Sequence, residues 1–160
     1  MRFEVHGTPA PKGSARAIMR GGRPQLVPGS SNVNRDAQRH WVAEVRKAAR
    51  NVRALRGVVW VSIEFRLARP RSHFGTGKNE GRLKRSAPAY PGVKPDVDKL
   101  ARCTLDALTE LAFEDDARIV NLHVGKEYAT AAAPEGAVIT IGRWPIVTRR
   151  AELNLEGAAA

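Results

Sequence analysis

A chain of 160 residues is the usual size of one domain and can bury an ordinary hydrophobic core, which argues against two separate domains. Its 42% hydrophobic content reads as globular, and no apolar run approaches the roughly 20 residues that a membrane span needs. With 27 Lys and Arg against 16 Asp and Glu, the net charge of +11 points to a polyanionic partner, nucleic acid first, although a GC-rich genome also yields Arg-rich chains.

The N-terminus MRFEVHGTP lacks the apolar core of a secretion signal, so the expected location is the cytoplasm. A single cysteine, Cys103, excludes an internal disulfide framework and zinc knuckles built on cysteine pairs.

In chain order, RFEVHG (2–7) reads as a strand, followed by the Pro/Gly loop TPAPKGSAR, in which Lys12 and Arg16 are candidate phosphate contacts. AIMRGGRPQLV places Gly21 and Gly22 between two extended runs, which predicts a hairpin. From Asn34, Ala37, Trp41, Val45 and Ala48 repeat at helical spacing, with Asn32 or Asn34 as N-cap. VVWVSIEFRL (58–67) alternates as a half-buried strand.

A long loop follows. Residues 66–94 hold eight Lys or Arg and one acid, Glu80, so the segment from about 69 to 94 is expected to be flexible and positive. Arg69, Arg71, Lys78, Arg82, Lys84, Arg85 and Lys94 are its candidate DNA contacts, with Phe74 and Tyr90 as stacking surfaces. Residues 96–112 turn helical, with Val97, Ala101, Thr104, Leu108 and Leu111 on one stripe. RIVNLHVGKEY (118–128) alternates with Val120, Leu122 and Val124 inward, and AVITIGRW (137–144) supplies a last strand. The expected fold is α+β: one domain over 1–144, a mixed sheet with two main helices, and a tail at 145–160.

Seven of the sixteen acids fall between Asp96 and Asp116. Asp96 stands at an N-cap position, and Asp98, Arg102, Asp106 and Thr109 share a helix face beside the buried stripe. Asp115 and Asp116 are expected to begin the following strand, which a packed helix could bring near Asp96 and Asp98. Gathered carboxylates repel unless a cation sits among them, and hard oxygen ligands suit Mg²⁺ or Mn²⁺. Beside a positive loop, such an ion fits phosphodiester hydrolysis. The four histidines show no metal-ligand spacing, and GTGKNEG is not a Walker loop.

KPDVDKLARCTLDAL followed by FEDDARIVNLHVGKEY resembles the RusA family of Holliday junction resolvases, whose helix opens P-D-x-D-N and whose next strand opens D-D. The N-terminal GTPAPKGSAR and the Trp-bearing helix are similar too, so the resemblance spans roughly residues 1–142. It implies a homodimeric, Mg²⁺-dependent endonuclease that nicks a four-way DNA junction symmetrically. It assigns catalysis to Asp96, Asp98 and Asp116, with Asp115 beside them as a further metal ligand. Two positions depart from the family: Lys99 replaces the usual asparagine and Arg102 the usual lysine. Arginine can clamp a phosphate with two N–H groups but does not readily give up a proton, and Lys99 is a possible substitute. Lys126, matching a lysine often seen in the family's strand, either reaches the acidic cluster, contacts DNA or snorkels. The competing readings are a broader structure-selective nuclease and a non-catalytic branched-DNA-binding protein.

Overall fold

The computed structural model describes residues 1–13, 15–28 and 32–145, so residues 146–160 of the expected tail lie outside the described residues. In chain order it contains β1 (Arg2–His6), β2 (Ala15–Arg20), β3 (Arg23–Pro28), α1 (Asn32–Ala49), β4 (Val59–Leu67), α2 (Val97–Leu108), β5 (Ile119–Tyr128) and β6 (Gly136–Arg143). Four strands form one mixed sheet in the order β1-β6-β4-β5. β4 is antiparallel to β6 and parallel to β5. A parallel neighbour requires a crossover, and the basic loop with α2 provides it.

The alternation expected of β4 appears in its burial: Val59, Val61, Ile63 and Phe65 are fully buried between the sheet and the helices. On α1 the buried stripe is Trp41, Val45 and Ala49, while Ala37 is exposed. α2 buries more than the predicted stripe, adding Leu100, Cys103, Leu105 and Ala107 to Ala101, Thr104 and Leu108. One buried polar contact joins the helices. The Trp41 indole Nε1 donates to Thr104 Oγ1 at 3.0 Å, and that hydroxyl donates to the Leu100 carbonyl, also at 3.0 Å.

β5 departs from expectation. A bulge opposite the Val59/Trp60 step makes Val120 the extra residue, so Ile119, not Val120, packs against the core. Because β5 is the sheet edge, Val120 and Leu122 remain 52% and 45% exposed. The predicted hairpin forms, with Gly21 and Gly22 both at positive φ, but β2 and β3 make a two-stranded sheet of their own. Its cross-strand register puts Ala17, Met19, Pro24 and Leu26 on one side and Ile18, Arg20, Arg23 and Gln25 on the other.

The basic loop is more regular than expected. It contains 3-10 turns at Arg71–His73 and Gly77–Asn79, and it folds on itself through Gly75 N–H to Arg82 O and Lys84 N–H to His73 O, both 2.9 Å.

Candidate active site

α2 delivers the acidic face. Asp98, Arg102 and Asp106 are spaced four residues apart and so project from one side of the helix, opposite the side that enters the core. Asp116, from the turn before β5, meets them across a pocket of about 480 Å³, whose other walls are Val97, Ala101, Leu105, Leu122 and Val124. Two carboxylates expected to lie together, Asp98 and Asp116, therefore share a cavity with Arg102.

Asp96 does not line that cavity. Its backbone is extended at the N-cap, and its side chain makes no capping bond but pairs with Lys99 at 2.9 Å. Together they line a neighbouring hollow with Pro11, Asn34, Lys94 and Pro95. Lys99, by hydrogen bond and by charge, holds the Asp96 carboxyl below the ordinary range, and Asp96 in turn raises the Lys99 ammonium. Asp115 is committed locally: its Oδ1 accepts the Ala117 N–H at 2.8 Å as the N-cap of the 3-10 turn Asp116–Arg118. That bond is the main cause of its lowered pKa, with the Asp116 side chain and the Arg118 guanidinium adding. The D-D pair thus precedes β5 in its own turn and does not begin the strand.

Among the described residues, no three His, Cys, Asp or Glu side chains gather closely enough to form a metal-binding group. Asp98 and Asp116 nevertheless suit Mg²⁺, which commonly binds through one or two carboxylates and keeps several waters.

Of the other expected contacts, Lys126 is placed most informatively. Its ammonium donates to Val93 O at 2.7 Å and Pro95 O at 2.9 Å, tying the edge strand to the segment leading into α2. Arg69 stacks over the Tyr128 ring at 3.9 Å and donates to Pro88 O, and Lys84 donates to Ser72 O, so both brace the loop. Arg71, Lys78, Arg82, Arg85 and Lys94 lie exposed on its surface, as does Tyr90, whereas Phe74 is half-buried. The Arg16 side chain lies outside the described residues. Lys12 forms an ion pair with Asp106, a residue whose helix face the spacing revealed but whose role it did not.

The family model for endodeoxyribonuclease RusA matches residues 7–141, which include every strand after β1 except the end of β6, both helices and the whole pocket. The chain belongs to the RusA family. RusA-family proteins are endonucleases of Holliday junctions and generally depend on a divalent metal. Protein YqaN of Bacillus subtilis strain 168, described as uncharacterized, is 28% identical over 130 residues, covering 81% of this chain and 88% of YqaN. The RusA match contains both the cavity holding Asp98, Arg102 and Asp116 and the pair Asp96–Lys99 beside it. No helix of the described residues is long and apolar enough to cross a membrane.

Proposed function

We propose that this RusA-family chain is a Mg²⁺- or Mn²⁺-dependent endodeoxyribonuclease that resolves four-way DNA junctions by paired nicks, acting as a homodimer. The observation that carries this reading is the convergence of Asp98, Arg102 and Asp116 on one open cavity in a strongly basic protein. Asp98 and Asp116 would hold the ion, with Asp96 joining them on release from Lys99. The ion, when bound, would neutralise charge and lower the pKa of a water, which would lose its proton to solvent as it attacks phosphorus.

The chain's own residues do the rest. Arg102 projects from the same helix face as Asp98, where its N–H fork can hold two oxygens of the scissile phosphate in line for attack. Lys99, one turn before it, is the candidate for handing a proton to the leaving oxygen once Asp96 has released it, because an ammonium gives up a proton far more readily than a guanidinium. Leu122 and Val124 give the cavity an apolar wall that strengthens these charge interactions. The exposed β5 edge with Val120 and Leu122 adjoins this wall, and a second subunit covering it would bring two sites together for opposing strands.

The test is cleavage of a labelled four-way junction in Mg²⁺, with linear duplex and flap substrates as competitors. Paired nicks in the junction, lost in Asp98→Asn, support the reading. Equal cutting of flaps makes the protein a broader nuclease, and junction binding with no cutting in Mg²⁺ or Mn²⁺ makes it a branched-DNA-binding protein.

A further inference from the structure

Asp106 lines the same cavity as Asp98 and Asp116, and the fold gives it a cation of its own. The loop before β2 is fastened to the domain at successive points. Thr8 Oγ1 donates to Glu135 Oε2 at 3.1 Å, Ala10 is buried in the core, and the Lys12 N–H donates to the Lys99 carbonyl at 2.9 Å. From that fixed backbone the Lys12 side chain crosses to Asp106 and forms an ion pair with its Oδ2. Lys12 is therefore held to the first turn of α2 by its main chain and to a later turn by its ammonium, alongside the cavity that Asp98, Arg102 and Asp116 line.

We propose that Asp106 is a positioning residue, not a metal ligand: it holds Lys12 at the cavity rim, where the ammonium meets a non-bridging oxygen of the incoming phosphate. The proposal rests on the nuclease reading of the same cavity. The Lys12 ammonium opposes a divalent ion on the Asp106 oxygens, as Lys99 does at Asp96, and the main-chain bond from Lys12 to the Lys99 carbonyl keeps it beside Asp106. The two side chains are 41% and 38% exposed, so the pair adds little to stability and acts chiefly through orientation. A lysine loses much rotamer freedom when it is fixed, and fixing it during folding spares that loss when DNA binds.

The experiment measures the ratio of duplex to junction dissociation constants in Ca²⁺, so that changes in overall charge cancel. Asp106→Asn, Asp106→Glu, Lys12→Met and the double variant Lys12→Met/Asp106→Asn are compared, with thermal midpoints checking the fold. Mn²⁺ binding to the DNA-free proteins is followed by electron paramagnetic resonance. The expected result is that Asp106→Asn and Lys12→Met each lower the ratio by about three- to tenfold. The double variant is no worse than either, Asp106→Glu restores the ratio, and Mn²⁺ affinity stays within about twofold throughout.

Asp106→Asn overturns the proposal if it leaves the ratio unchanged. It does so equally if it weakens Mn²⁺ binding by about tenfold or more with Lys12 intact or removed, as loss of a ligand would. An unaltered protein that prefers the junction but never cuts it removes the catalytic reading while the binding cycle still decides the role of Asp106. One that shows no preference for the junction overturns both.

Discussion

Lys126 and Pro95 are joined by a hydrogen bond of 2.9 Å from the lysine ammonium to the proline carbonyl, one residue before Asp96. A second bond, to Val93 O at 2.7 Å, makes this lysine a clamp between the edge strand and the segment that leads into α2. Lys126→Met should therefore lower the single-turnover cleavage rate by about tenfold, since small displacements of reacting groups carry penalties of this order or more. Junction affinity should stay within about twofold. Filter binding beside quenched-flow cleavage checks this, and a loss of affinity with an unchanged rate would make Lys126 a DNA contact instead.

Thr104→Val should destabilise the domain by about 1–3 kcal/mol, because it leaves the buried Trp41 indole N–H without its acceptor. Thr104→Ser keeps the hydroxyl and should recover most of that loss. Urea titration followed by tryptophan fluorescence reads both variants.

Lys99→Asn removes the cation that occupies Asp96. Mg²⁺ should then bind about three- to tenfold more tightly, the range expected for removing one adjacent positive charge in a solvent-exposed setting. The sign for protons is the same, because losing the Lys99 charge also raises the affinity of Asp96 for H⁺. Lys99 lowers the Asp96 pKa, so Asp96 favours the folded state above the ordinary carboxylate value of 3.8, and that contribution is lost as pH falls through the lower folded value. Lys99→Asn moves this acid transition upward, towards 3.8. A carboxylate titration by NMR, with and without Lys99, tests the shift, and isothermal titration with Mg²⁺ tests the affinity.

Cys103 should be inert in the native protein. It is buried on α2, and burial first, then the Asp106 charge, push its thiol from 9.0 up to about 11. At pH 8 its thiolate fraction, and with it alkylation, should fall about a hundredfold below that of the unfolded chain. A thiol pKa raised on folding gives stability that is present below 9.0 and lost as pH rises towards about 11, so the urea midpoint should decline across that window. Rapid labelling by iodoacetamide without denaturant would contradict this placement.

The parts of the site legible in the sequence are those set by local repeat. Asp98, Arg102 and Asp106 share a face because four residues make about one helical turn, and β4 shows its burial by alternation. Other features depend on sheet position, on which neighbour a side chain pairs with, or on contacts distant in sequence. Nothing near Val120 signals that β5 is an edge strand with a bulge. Asp96 turns away from Asp98 because its extended backbone precedes the helix and Lys99 lies within reach. Lys12 and Asp106 are 94 positions apart, and Lys126 is 31 from Pro95, so only the folded chain reveals their partnerships. The glycines and charges of the loop from 69 to 94 predict flexibility, yet pairing between Gly75 and Arg82 and between His73 and Lys84 gives it local order.

α2 is both a wall of the core and the bearer of the acidic groups, and the Trp41–Thr104 bond fastens it to α1. α2 should therefore have no loosening mode separate from the rest of the domain. Its central amides should exchange with deuterium only as fast as global opening allows, and rising urea should extinguish cleavage and tertiary fluorescence at one shared midpoint.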